Sequence, residues 1–229
     1  RLVGGPPRRR DWFYARSMTE SLSPWMPAVA LSLLLVYGLL GFGWRSWLQY
    51  RRTGSSGLKG VSGALGSAEW FAGAGFVAAI LAGLAAPLLQ LLGILTPVAL
   101  LQAPTIQTTG TVLAIAGIAA TLYAQHDMGQ SWRIGVDPSE TTTLVRHGVF
   151  ARVRNPIFTT MLVFGAGIAL VTPNVLALIG FALLLVTIEM QVRMVEEPYL
   201  ASVHGADYHG YTATVGRFVP GVGRIPDAQ

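Results

Sequence analysis

The chain has 229 residues, of which 52% are hydrophobic and only 12% charged, with a net charge of +5 and a mean hydropathy of +0.51. An ordinary soluble domain carries about 25% charged residues, so this composition excludes one and reads as an integral membrane protein. There is no cysteine, which removes disulfide frameworks, thiolate nucleophiles and thiolate metal sites together, and the basic excess is spread over short loops beside apolar stretches rather than gathered into a nucleic-acid footprint.

A helix needs about 20 apolar residues to cross a bilayer core. Residues 1–24 are a basic tail with Arg8, Arg9, Arg10 and Arg16, expected either to lie along the interface or to continue a longer precursor. The first span is predicted from Trp25 to Trp44, without internal charge and with a tryptophan at each end, where its amphipathic ring favours the interface. After a basic loop at 45–69, a second span runs from Trp70 to Leu92 and a third from Ile106 to Gln125, and both are rich in Gly and Ala that let helix backbones approach closely in lipid. The region 126–229 then holds a cytosolic loop, a hairpin over 157–195 and a C-terminal cap. The hairpin pairs a short span, Ile157 to Val171, with a fifth, Val175 to Val195. Thr172-Pro173-Asn174 turns between them, because proline fixes its own φ and biases its predecessor away from helix. The expected fold is an all-α polytopic membrane protein of about five transmembrane helices ending in short cytosolic cap helices.

Basic residues set the orientation. Arg45, Arg51, Arg52 and Lys59 follow the first span, Arg133, Arg146, Arg152 and Arg154 follow the third, and Arg193, Arg217 and Arg224 follow the fifth, whereas the other two connections carry no charge. The positive-inside rule places these segments and the C-terminus in the cytoplasm. Five spans then put the N-terminus outside, in conflict with the arginines of the opening tail.

The charged mouth of the hairpin is the candidate reaction centre. Glu189, Arg193 and Glu196 or Glu197 are spaced to share one helix face if the fifth span continues, and ionisable groups at that depth are costly unless paired or facing a polar cavity. A salt-bridged helix end accounts for the spacing alone. Pro198 is placed to break the helix and begin another, so that two glutamates point at a cationic ligand. Arg154-Asn155-Pro156 complements them, because Pro156 suits the first turn of a helix whose free N–H groups and positive dipole end attract carboxylates. A site between these two ends would hold a zwitterion resembling an amino acid.

Three stretches together resemble the isoprenylcysteine carboxyl methyltransferase and phospholipid methyltransferase superfamily. They are Arg146-His147-Gly148-Val149-Phe150-Ala151-Arg152-Val153-Arg154-Asn155-Pro156-Ile157-Phe158, the apolar hairpin, and Glu196-Glu197-Pro198-Tyr199-Leu200 followed by Gly205, Tyr208, Tyr211 and Gly216-Arg217-Phe218-Val219-Pro220. The resemblance covers residues 128 to 220, and the ordered combination is specific although each piece alone is weak. It implies S-adenosylmethionine bound on the cytosolic side, with a lipophilic or small-molecule acceptor arriving from the membrane lipids and no metal or nucleic acid involved. On that carry-over His147, Gly148, Phe150, Arg154, Asn155, Pro156, Glu196, Glu197, Tyr208 and Tyr211 surround the cofactor, and Arg193 lies nearest the acceptor, where a guanidinium orients a polar head. The chain departs from the family pattern at Asn155, where many members have His, and at Phe150 and Phe158, where Tyr is usual.

Methyl transfer from a sulfonium is an in-line displacement for which positioning and desolvation supply much of the acceleration. A carboxylate acceptor needs no base, whereas a thiol or ammonium must lose a proton, for which Glu197 or His147 is the candidate. A membrane reductase of sterol-reductase type using NADPH, and a non-catalytic scaffold or carrier, are the alternatives. Gly73-Ala74-Gly75-Phe76-Val77-Ala78 formally fits a dinucleotide-binding pattern, but it lies inside an apolar span with no preceding strand and reads as close helix packing. His126, His147, His204 and His209 form no zinc-like motif, Gly54-Ser55-Ser56-Gly57 reads as linker, and the segment from His126 to Arg133 is either plain loop or part of the cofactor floor.

Overall fold

The computed structural model describes residues 24–56, 61, 63–129, 132 and 143–226, whose regular elements are all helical. Four helices are long and apolar enough to cross a membrane: α1 (Met26–Thr53), α2 (Ala68–Leu91), α3 (Pro104–Met128) and α5 (Val175–His204). A shorter apolar helix, α4 (Pro156–Val171), precedes α5, and α6 (Ala206–Thr214) caps the C-terminal side. The chain is thus the all-helical polytopic membrane protein that its hydropathy indicates.

Local chemistry starts these helices. Pro104 and Pro156 open α3 and α4, where a missing N–H and a fixed φ cost nothing. Ser67 caps α2 by accepting from the Trp70 amide at 3.1 Å, and the Asn174 side chain caps α5 by accepting from the Ala177 amide at 2.9 Å. The Thr172-Pro173-Asn174 turn is buried, and the Asn174 amide group also donates to the Ala86 carbonyl at 3.0 Å and to Gln90 Oε1 at 2.9 Å. The far end of the hairpin is therefore pinned to α2.

Two close seams build the bundle. Between α3 and α4 a Cβ added at Gly110 would sit 2.7 Å from the Gly167 carbonyl, and one at Gly117 only 2.8 Å from the Phe164 backbone. Between α2 and α5, Gly75 abuts Thr187. Lipid supplies no hydrophobic drive between helices, so such backbone approach carries the packing. The Gly73–Ala78 stretch thus lies inside α2, with Gly75 at a helix contact. Across the seams lies α1, whose Tyr37 stacks on Phe164 with ring centroids 4.0 Å apart. The Tyr37 hydroxyl shares a hydrogen bond with Thr121 at 3.2 Å, and Thr121 donates to Thr160 at 2.8 Å, so these buried hydroxyls are partnered.

Two expectations are corrected. The basic loop begins later than residue 45, because α1 runs on to Thr53 and stops at Gly54, where φ is +76°. No Gly or Pro interrupts residues 45–53, so Arg45, Arg51 and Arg52 ride on a helix. Nor does Pro198 break α5. Residues Gln191–Glu196 widen into a π-helical turn, and Pro198 enters the first turn of the α-helix that resumes at Glu197. The wider turn relieves the clash between a proline ring and the preceding carbonyls. The chain bends instead at Gly205. The N-terminal tail with Arg8, Arg9, Arg10 and Arg16, together with Lys59 and Arg133, lies outside the described residues.

The topology brings the C-terminal ends of α1, α3 and α5, the start of α4 and the tail after α6 to one end. There Arg45 donates to the Gly129 carbonyl, and the Arg154 amide donates to the Gly216 carbonyl at 2.9 Å. Every described basic segment that followed the first, third or fifth span gathers at this end.

Candidate active site

The loop entering α4 is held from two sides. Asp127, in the last turn of α3, accepts the Val149 amide at 2.9 Å. Gly148 has φ +57°, and any Cβ there would run into the Asp127 carboxylate, so the turn demands glycine for both conformation and space. The following short 3₁₀ turn buries Phe150, whose carbonyl accepts the Tyr211 hydroxyl at 2.5 Å. Residues 153–155 then lie beside the tail in a parallel bridge, with the Asn155 amide donating to the Arg217 carbonyl at 3.0 Å and its side chain to the same oxygen at 3.2 Å.

At the centre Glu197 receives two guanidinium groups. Arg217 donates from Nε to Oε1 at 2.8 Å and from Nη2 to Oε2 at 2.9 Å, while Arg154 Nη2 donates to Oε1 at 2.8 Å. Arg154 also reaches the carbonyls of Thr212, Val215 and Gly223, tying the cap and tail to the start of α4. Its side chain is only 2% exposed, and Glu197's is 11%. A buried charge needs such matched geometry, because its desolvation cost is several kcal/mol. The hydrogen bonds to Glu197 raise the pKa of Arg217 further above its ordinary value. Burial pushes the Tyr211 phenol up to about 12 and raises that of Tyr208 as well, so both keep their protons at neutral pH.

The structure brings Phe150, Arg154, Asn155, Glu197 and Tyr211 into one connected cluster through these bonds, and Tyr208 packs with Tyr211 and Val215 beside it. Pro156 is the buried first residue of α4, whereas His147 and Gly148 lie exposed at the loop's outer edge. Glu196 is half-buried and accepts from Gln191 Nε2 at 3.4 Å. Arg193 stands apart, exposed and paired with Glu189 one turn back on α5. The π-helical turn explains the separation: it shifts Glu197 off the face that Glu189 and Arg193 share.

Sequence reading undervalued two residues. Arg217 stood in the Gly216-Arg217-Phe218-Val219-Pro220 ending without a partner assigned, although a charge beside an apolar tail was the signal for one. Asp127 was seen only within a segment of undecided role, and it proves to be the anchor of the loop. Glu197 differs from expectation in a further respect: both its oxygens already accept from arginines. Conversely, Arg154 Nε is buried without a hydrogen-bond partner among the described residues, and the cluster holds two guanidinium groups against one carboxylate.

Residues 105–207, from the first turn of α3 into the first turn of α6, match the family described as phospholipid methyltransferase. That segment of the chain is similar to this family. The match supports a membrane methyltransferase, in keeping with the integral membrane methyltransferase group that the motifs resemble. It includes His147 to Pro156 and Glu196 to Glu197, and it leaves out α1, α2, Tyr208, Tyr211 and Arg217. Among curated proteins, none matches the chain significantly.

Proposed function

We propose that the protein transfers a methyl group from S-adenosylmethionine to a lipophilic or small acceptor, a carboxylate, amine or thiol, at the cytosolic face of the membrane. The observation that carries this reading is the convergence, at one end of the bundle, of the loop before α4, the inner end of α5 and the cap on the Glu197 carboxylate. Their residues fall largely within the methyltransferase-family segment.

The residues present fit a methionine-derived zwitterion. Arg154 Nε would favour its carboxylate, while Glu196, half-buried on the same rim, would supply a negative partner for its ammonium. Phe150, Tyr208 and Tyr211 offer an aromatic wall of the kind that accepts a flat heterocycle. His147, Gly148, Asn155 and Pro156 would line the loop side, with Glu197 holding the arginines in place. The donor supplies an electrophilic methyl on a sulfonium. The chain's part is to orient and to exclude water, and the two tyrosines remain neutral hydrogen-bonding groups throughout. Arg193, exposed on α5 at this end, would meet the polar head of an acceptor, and His147 rather than Glu197 would take a proton if the acceptor carries one, because both Glu197 oxygens are committed to arginines.

The cytosolic assignment rests on charge. Arg45, Arg51, Arg52, Arg146, Arg152 and Arg154 all gather at the site's end, as the positive-inside rule requires of a cytoplasmic face. Purified protein tests the reading: S-adenosylhomocysteine should raise its thermal midpoint and NADPH should not. Protection by NADPH alone would make it a reductase, and a response to neither would make it a scaffold.

A further inference from the structure

A second polar cluster, together with an apolar cavity, lies where α1, itself outside the family-matched segment, faces helices that belong to that segment. The cavity has a volume of about 530 Å³, inside the range of roughly 300–1,000 Å³ typical of ligand pockets. Tyr37, Phe164 and Ile168 form its buried wall, and Leu35, Leu39 and Leu84, all exposed, form its outer lip at the position of the hydrocarbon core. Its lining is almost wholly apolar and reaches Phe42 in the π-helical turn Gly38–Trp44. Arg45 and Ser46 follow Phe42 by three and four residues, about 4.5–6 Å further along the helix axis.

Both of those side chains are more than nine-tenths buried, as is Gln125 opposite them on α3. Arg45 donates to the Gly129 carbonyl and sits 5.1 Å from the Trp132 ring centroid, yet its Nε has no hydrogen-bond partner among the described residues. The Ser46 hydroxyl and Gln125 Oε1 are likewise unpartnered there, although Gln125 Nε2 donates to the Gly41 carbonyl at 2.9 Å. Buried polar atoms left this way are costly and need a partner. An arginine N–H and a hydroxyl on consecutive residues are both donors available to an anion, and no carboxylate is bonded to Arg45 among the described residues.

We infer that α1 carries a binding site for an anionic amphiphile, with its apolar chain in the Tyr37–Phe164 cavity and its carboxylate or phosphate head on Arg45 Nε and the Ser46 hydroxyl. The occupant is a membrane lipid or fatty acid, since the cavity's lip faces the bilayer and the head site lies at its basic end. This site does not depend on methyl transfer.

Binding to detergent-purified protein, followed by native mass spectrometry and thermal shift, tests it with three probes: oleate, oleoyl lysophosphatidate and the neutral ester monoolein. One or both anionic probes should bind at least tenfold more tightly than monoolein, and which of the two leads tells a carboxylate head from a phosphate. Arg45→Gln and Ser46→Ala should each erode that preference. Gly83→Leu places a side chain where a Cβ has nothing within 4 Å and fills the cavity, and it should weaken all three probes about equally. Equal affinity for monoolein and the anionic probes would reduce the site to bulk lipid contact and overturn the inference. Undiminished binding in Gly83→Leu would overturn the cavity as the chain's seat, and the conservative Ser46→Ala variant keeps the head site testable if Arg45→Gln fails to fold.

Discussion

Arg217 of the C-terminal tail and Glu197 of α5 form a two-point ion pair, with both contacts under 3 Å and both side chains nearly buried. This contact and the Arg154 bridge lock the tail across the start of α4. Removing the shared carboxylate strands two guanidinium groups, so Glu197→Gln should cost about 3–5 kcal/mol of stability. Arg217→Gln should cost less, because Arg154 still neutralises Glu197. A double-mutant cycle on chemical unfolding in detergent checks this: the two substitutions should couple by more than ~1 kcal/mol, whereas simple additivity would mean the pair is not formed.

Neighbouring glutamates have different partners and should fail differently. Glu196→Gln removes the carboxylate assigned to the cofactor's ammonium and should weaken S-adenosylhomocysteine by roughly tenfold, the worth of about 1.4 kcal/mol, with little change in thermal midpoint. Glu197→Gln should lower both affinity and midpoint. Calorimetric titration of each variant separates the two effects, and unchanged affinity in both would remove these glutamates from the cofactor site.

Gly148 and Asp127 form the other anchor. Alanine at Gly148 meets a positive φ as well as the Asp127 carboxylate, so Gly148→Ala should cost about 1–3 kcal/mol and displace the loop carrying Phe150 and Arg154. Asp127→Asn keeps an acceptor for the Val149 amide and should be milder. Thermal midpoints of the two variants test the order, and the reverse order would show that the loop is not held here.

Much of this architecture was legible because its signals are local. Tryptophans and charge-free runs mark the spans, Pro104 and Pro156 mark helix starts, and Thr172-Pro173-Asn174 marks the hairpin turn. The π-helical turns were not legible, since widening a helix by one residue depends on packing rather than on residue type. That missing residue of register is why Glu197 was expected beside Arg193 but pairs instead with Arg154 and Arg217. The Arg217 contact spans 20 residues and needs the bend at Gly205, which no periodicity in the sequence announces.

The α3–α4 seam should be as sensitive as the ion pairs, although it holds no charge. Asp127 and Arg154 sit at the ends of these two helices, so their separation sets the distance between the loop's anchors. At Gly110 any side chain meets backbone, with the Gly167 carbonyl at 2.7 Å and the Val171 amide at 2.8 Å, and backbone cannot rotate away. Gly110→Leu should therefore force the helices apart and cost more than about 2 kcal/mol, with methyl transfer falling through lost geometry at a site one helix length away. Gly210→Ala, on α6 with nothing within 4 Å of its Cβ, should instead stabilise by about 0.5–1 kcal/mol through helix propensity. Comparing the detergent half-lives of the two variants checks the claim: a tolerated Gly110→Leu would mean that the seam is looser than its backbone distances indicate.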